Sequence, residues 1–193
     1  MIDYPRPIIG FSAFSGTGKT TLLKQLLPIL REQGLRVTVI KHAHHQFDVD
    51  HPGKDSHELR LAGANQMLIA SRRRMALVSE FDNKHAEPRL SELLLALDPD
   101  TIDLILVEGF KREEIAKIEL HRPVLGKPLL CANDPWIIAI ATDAAVPDAP
   151  EALPRLNLND PHEIAAFIQR QMVTIKGRTD HDPPFPAHHR QLC

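Results

Sequence analysis

The stretch Ile8-Ile9-Gly10-Phe11-Ser12-Ala13-Phe14-Ser15-Gly16-Thr17-Gly18-Lys19-Thr20-Thr21 constrains the fold more than any other part of the chain. An apolar run ends in a turn of small residues, and Leu22, Leu23, Leu26, Leu27 and Leu30 follow at helical spacing. Ala13 to Thr20 fits the phosphate-binding loop G-x-x-x-x-G-K-[ST], with Ala in the place of the first Gly. Gly16 and Gly18 allow positive φ and a close backbone approach to a ligand. Successive N–H groups then converge as an anion nest, and the helix that starts near Gly18 adds its unpaired N–H groups and positive dipole end. Lys19 is expected to reach the β- and γ-phosphates, and the Thr20 hydroxyl to ligate Mg²⁺. The candidate phosphate ligands are therefore Ser15, Gly16, Thr17, Gly18, Lys19, Thr20 and Thr21.

The pattern around this loop is α/β. Residues 7–14 read as a buried parallel strand, apolar on both faces. The Leu-rich helix contains Pro28, which should bend it, and ends at Gly34. A second strand, 35–40, completes a right-handed βαβ unit. Residues 41–54 form a polar loop at the carboxyl end of that strand, the ligand edge of an open α/β sheet. The spacing of Asp55 and Glu58 suggests a capping box and a short helix to Gly63. Two short strands, 65–70 and 75–78, flank Ser71-Arg72-Arg73-Arg74. Leu90, Leu93, Leu94 and Leu97 mark a further helix, and Ile102–Val107 a buried strand ending in Glu108-Gly109. Strands at 116–120 and 136–141, an irregular Pro-containing connection and a helix over Asp160–Val173 follow. The expected fold is that of a P-loop NTPase: a mostly parallel central sheet flanked by helices. One nucleotide-binding domain spans 1–175. The Pro-, His- and Arg-rich residues 176–193 read as a disordered tail.

Composition narrows the class. The chain has 193 residues and a net charge of −2, which does not favour an electrostatic nucleic-acid binder. No apolar stretch is long enough for a membrane span, and Met1–Pro5 does not read as a signal peptide. Cys131 and Cys193 have no metal-ligand spacing. A cytoplasmic protein is expected.

Glu108 lies where a nucleotide site needs a carboxylate, at the end of a buried strand, to bind Mg²⁺ directly or through water. Gly109 beside it is expected to let the backbone approach the γ-phosphate. Asp50, and with less support Asp48, is a candidate Mg²⁺ or water ligand from the mobile loop. His42, His44, His45 and His51 invite comparison with a metal site, but their spacing matches no closed zinc motif. Arg72–Arg74 reads as an arginine finger or as an exposed basic turn. Guanine's four-residue Asn-Lys-x-Asp signature is absent, because Asn83-Lys84-His85-Ala86 lacks the Asp. Asp143, after the strand at 136–141, is the candidate acceptor for the N1–H and 2-amino groups of guanine, or else a turn residue or helix cap.

Several segments taken together resemble one family, the molybdopterin-guanine dinucleotide biosynthesis adapter protein B. They are Phe14–Leu23, Ile40-Lys41-His42-Ala43-His44-His45, Asp48–Ser56, Glu58–Ala64, Asp103–Lys111 and Ile115–Ile118. The likeness covers roughly residues 6–175. It implies a cytosolic homodimer that binds GTP with Mg²⁺ and hydrolyses it weakly. It further implies an adapter for the guanylyltransferase that joins GMP to molybdopterin and for later cofactor delivery. Residues 15–21 would hold the phosphates, with Thr20, Asp50 and Glu108 around Mg²⁺, and Lys19, Asp50 and Glu108 in hydrolysis. Two other readings fit the same loop: a P-loop small-molecule kinase with Arg72–Arg74 as its lid, and a metal-insertion GTPase acting through the His42–His45 loop.

Overall fold

The computed structural model describes residues 2–43, 47–81 and 87–176. The chain order is β1 (Ile8–Ser12), α1 (Lys19–Glu32), β2 (Val37–Lys41), α2 (Asp55–Leu61), β3 (Gln66–Ala70), β4 (Met75–Ser79), α3 (Leu90–Leu94), β5 (Leu104–Glu108), β6 (Ala116–His121), β7 (Ile137–Thr142), β8 (Arg155–Asn157) and α4 (Pro161–Lys176). These elements divide into two units, one of residues 1–42 and 93–193 and one of 43–92, within the single domain drawn over 1–175 from sequence.

The first unit holds a six-stranded sheet in the order β2-β5-β1-β6-β7-β8, with every pairing parallel. The expected parallel sheet with helices is present. β1, α1 and β2 make the expected parallel βαβ crossover, although β1 and β2 are not neighbours. β5 lies between them, pairing Ile8 with Ile105 on one side and Val37 with Leu104 on the other. From β1 the chain crosses to β2, comes back to β5 and then passes over β1 to β6, so the direction of winding reverses around β1 and its carboxyl end is a topological switch point.

Burial explains the strand sequences. All five residues of β1 are buried, as are the first four of β5, whereas β2 at the sheet edge is buried only at Ile40. Ile9, Phe11, Leu104, Leu106, Ile118 and Leu120 pack with Leu22, Leu26 and Leu30 of α1 and Ile164, Phe167 and Ile168 of α4. The other face of β6 is polar and buried: Lys117, Glu119 and His121. Lys117 satisfies its ammonium with the Asp134 carboxylate at 2.7 Å and the carbonyls of Lys111 and Glu113 at 2.9 and 2.8 Å. Glu119 accepts from the N–H groups of Leu130 and Cys131 at 2.7 and 2.9 Å, and burial raises its pKa against those bonds. This row ties the loops over 111–113 and 130–134 to the sheet.

Several boundaries differ from the sequence reading. β8 was read as irregular: three residues between prolines give little periodic signal, and it forms because Leu156 can pair beside Ala141. α3 ends at Leu94, short of Leu97. The capping box at Asp55 is not made: Asp55 is already helical, and Lys54 is the N-cap without a side-chain bond. At α4, which starts at Pro161, Asp160 is the cap: its Oδ1 accepts from the N–H groups of His162 and Glu163 at 3.0 and 3.1 Å.

The second unit contains α2 and the antiparallel hairpin β3–β4. Arg60 bridges Glu80 and Asp48, its contact to Asp48 being 2.8 Å. Among the described residues no helix is long and apolar enough to cross a membrane. His44, His45 and the segment 177–193 lie outside the described residues.

Candidate nucleotide site

The loop between β1 and α1 has the conformation its glycines allow. Gly16 and Gly18 have φ of 82° and 104°, and Gly18 is the N-cap of α1. Ser15 is exposed at the turn. Thr17 is buried and donates from Oγ1 to the Phe14 carbonyl at 2.9 Å, closing the turn from inside. Lys19, Thr20 and Thr21 form the first turn of α1. The Lys19 ammonium lies over the loop's own carbonyls, 3.3 Å from Ala13 O and 3.5 Å from Phe14 O. Burial, then the charge of Lys111, lowers its pKa, while Glu108 acts in the opposite sense. Lys111 also sits 5.5 Å from the centre of the Phe14 ring. Two ammonium groups, Lys19 and Lys111, thus lie beside the loop at the start of α1, the electrostatic setting that favours an anion.

Glu108 ends β5 beside the loop. Its Oε1 accepts from the Thr20 hydroxyl at 3.3 Å, and its Oε2 lies 3.8 Å from Lys41 Nζ. The register explains the meeting, since Phe11 pairs with Glu108 and Lys41 with Glu108 across adjacent strands. Two hard oxygen donors on neighbouring elements suit Mg²⁺.

Gly109 also has a packing role that the sequence does not show. Its φ is 97°, and a Cβ there would stand 2.6 Å from His42 Cβ. The missing side chain makes room for His42, whose N–H donates to Glu108 O at 2.9 Å and whose ring stacks on Phe110 at 4.7 Å. Gly109 thus sets the position of Glu108 by allowing that packing.

Asp143 lies at the end of β7 and pairs with Arg122, Nη1 to Oδ2, at 2.5 Å. Arg122 also donates from Nε to the Thr17 carbonyl at 3.0 Å. The sequence does not single it out, because Lys117, Glu119 and His121 make β6 before it alternate polar with apolar, unlike the unbroken apolar run that ends in Glu108. Asp50 belongs to the second unit. Hydrogen bonds from the Ser56 side chain and the His51 N–H hold its pKa low against partial desolvation. Asp48 bonds Arg60 and the Asp50 N–H. Asp50 Oδ1 accepts from the His51 N–H at 2.9 Å, while its Oδ2 is buried with no hydrogen-bond partner among the described residues. Arg72–Arg74 occupy the exposed turn between β3 and β4.

The family model for molybdopterin guanine dinucleotide synthesis protein B, MobB, matches residues 8–143. The chain belongs to the MobB family. Its similarity to the molybdopterin-guanine dinucleotide biosynthesis adapter protein of Escherichia coli strain K12 is 48% identity over 172 residues, covering 89% of this chain and 96% of the relative. The protein of the same description from Haemophilus influenzae is 41% identical, with 89% and 92% covered. A crystal structure of molybdopterin-guanine biosynthesis protein B superposes with a TM-score of 0.66 at 26% identity, covering 85% of this chain and 99% of that one. The MobB match spans the phosphate loop, Glu108 and Asp143 together.

Proposed function

We propose that this MobB-family chain is a GTP-binding adapter with weak GTPase activity in molybdenum cofactor biosynthesis. It acts in the cytoplasm as a homodimer, beside the guanylyltransferase and other proteins that form and deliver the molybdopterin guanine dinucleotide. The adapter role rests on the E. coli and H. influenzae relatives, whose similarity covers nearly their whole length. The nucleotide role rests on the loop, and the observation that carries it is the 3.3 Å approach of the Thr20 hydroxyl to Glu108 beside a positive-φ Gly18. Those two side chains are the groups that would hold Mg²⁺, which when bound neutralises phosphate charge. Lys19 and the amides of residues 15–21 bind the phosphates. Asp50 lies in the second unit and is left out of this group of ligands. Slow hydrolysis follows from the sequence: neither Ser12–Thr21 nor Glu108–Lys111 contains a Gln to orient water.

The homodimer is supported by β3–β4. Leu68 and Leu77, directly opposite on one face, are 58% and 55% exposed, and Met75 on the same face is 70% exposed. A two-stranded hairpin with an apolar face in water is marginal alone.

Calorimetry with GTP and Mg²⁺ tests the nucleotide role. Lys19→Ala should weaken GTP about a hundredfold, because charge-assisted bonds to phosphate are lost, with the circular dichroism spectrum unchanged. Glu108→Gln should flatten the Mg²⁺ dependence. Unchanged affinity for Lys19→Ala removes the assignment. A phosphorylated metabolite in an acceptor screen would instead mark a kinase.

A further inference from the structure

The nucleotide reading leaves the other side of the loop unexplained. β1 carries the loop, and on one side of it lies β5, whose Glu108 accepts from Thr20 of α1. On the other side the strands run β6, β7, β8. Their carboxyl ends carry Arg122, Asp143 and Asn159, and one guanidinium joins all three. Arg122 donates from Nε to Thr17 O at 3.0 Å, from Nη1 to Asp143 Oδ2 at 2.5 Å, and from Nη2 to Asn159 Oδ1 at 3.4 Å. A triphosphate whose metal-bound end faces Glu108 has its nucleoside end toward this group, because the phosphate nest lies between them.

The chemistry of that end is specific. A guanidinium only donates, so the Asn159 atom facing it is the oxygen, and the amide NH₂ is turned away as a donor. Among the described residues neither Asp143 Oδ1 nor Asn159 Nδ2 has a hydrogen bond of its own in the set around Arg122. Arg122 therefore presents a carboxylate acceptor and an amide donor from two strand ends. Guanine offers the complement: N1–H and 2-amino donors beside the O6 and N7 acceptors. Adenine lacks the 2-amino donor and would leave the carboxylate unpaired.

We infer that Asp143 and Asn159 together read the guanine base, Asp143 accepting from N1–H and the 2-amino group and Asn159 donating to O6 or N7. Arg122 is the positioning residue that fixes both against the Thr17 peptide of the phosphate loop. This rests on the nucleotide reading above, and it rebuilds from two separate segments the Asn and Asp that a contiguous guanine signature would supply.

The test uses the full chain, with calorimetry of GTP, ATP, xanthosine triphosphate and inorganic tripolyphosphate in Mg²⁺. Wild type should prefer GTP over ATP by about a hundredfold or more. Asn159→Ala removes one hydrogen bond and should weaken GTP about tenfold while leaving ATP and tripolyphosphate unchanged. Asp143→Asn should lose GTP and gain xanthosine triphosphate, whose 2-position is a carbonyl that accepts from the new amide. A merely structural role would not produce that exchange. Arg122→Gln should lower the GTP:ATP ratio, rather than weaken both alike. Asn159 is exposed, so its variant keeps the test decisive if Asp143→Asn or Arg122→Gln fails to fold. Equal wild-type affinity for GTP, ATP and tripolyphosphate leaves the phosphate loop standing and overturns the base-reading group. So does a GTP:ATP ratio that Asn159→Ala does not change. Absence of binding by all four ligands overturns the nucleotide reading itself, and this inference with it.

Discussion

Glu108 is useful only if its carboxylate stays beside Thr20, and the neighbouring glycine secures that. At Gly109 a Cβ would meet the Cβ of His42, a group fixed to its backbone, at 2.6 Å, and φ is 97°. Left-handed backbone costs a non-glycine residue about 1–2 kcal/mol, and overpacking adds a similar amount. Gly109→Ala should therefore lower stability by roughly 2–4 kcal/mol, measured by urea denaturation. Adding His42→Gly should recover part of that loss, since the clashing atom is gone. No recovery would mean that the strain lies in φ alone. The same packing places the His42 ring on Phe110, a role its sequence spacing does not show.

At the scale of elements, the start of β2 is held to the start of β5 by one ion pair. Arg36 gives its backbone N–H and Nε to Asp103 Oδ2, both at 2.9 Å, and Nη2 to Oδ1 at 2.8 Å. The hydrogen bond from the Arg36 side chain, then the one from its backbone, holds the Asp103 carboxyl well below the ordinary value near 3.8. A depressed folded pKa means the unfolded chain takes up the proton first. The contribution is thus complete above that ordinary value and is lost as pH falls through and below it. Asp103→Asn should lower Tm at pH 7 and lower it by less near pH 2, by scanning calorimetry. An equal Tm deficit at both pH values would show that packing, and not charge, holds the two strands together.

At the scale of the whole molecule, the exposed apolar face of β3–β4 is the feature that a single copy leaves unsatisfied. Leu77→Lys places a charge opposite Leu68. If that face joins two copies, light scattering should give half the wild-type mass, with GTP affinity changed less than about threefold, a shift of ~0.6 kcal/mol. A dimer that survives Leu77→Lys moves the interface elsewhere.

Local chemistry alone marks the candidate phosphate loop, the parallel strands and the position of Glu108 at a strand end. Glycine spacing, a Lys-Thr pair and unbroken apolar runs are contiguous signals, and the MobB resemblance is carried by the same residues. What contiguous signals do not contain is which strand lies beside which. The insertion of β5 between β2 and β1, the pairing of the three-residue β8 and the meeting of Arg122 with Thr17, Asp143 and Asn159 join residues up to 105 positions apart. Such contacts form because burying the apolar sheet face under α1 and α4 fixes the strand order, and the polar ends of the strands then meet wherever that order leaves them. Gly109 shows the same division: the sequence marked a position that needs no side chain, and only the packing showed that His42 fills the space.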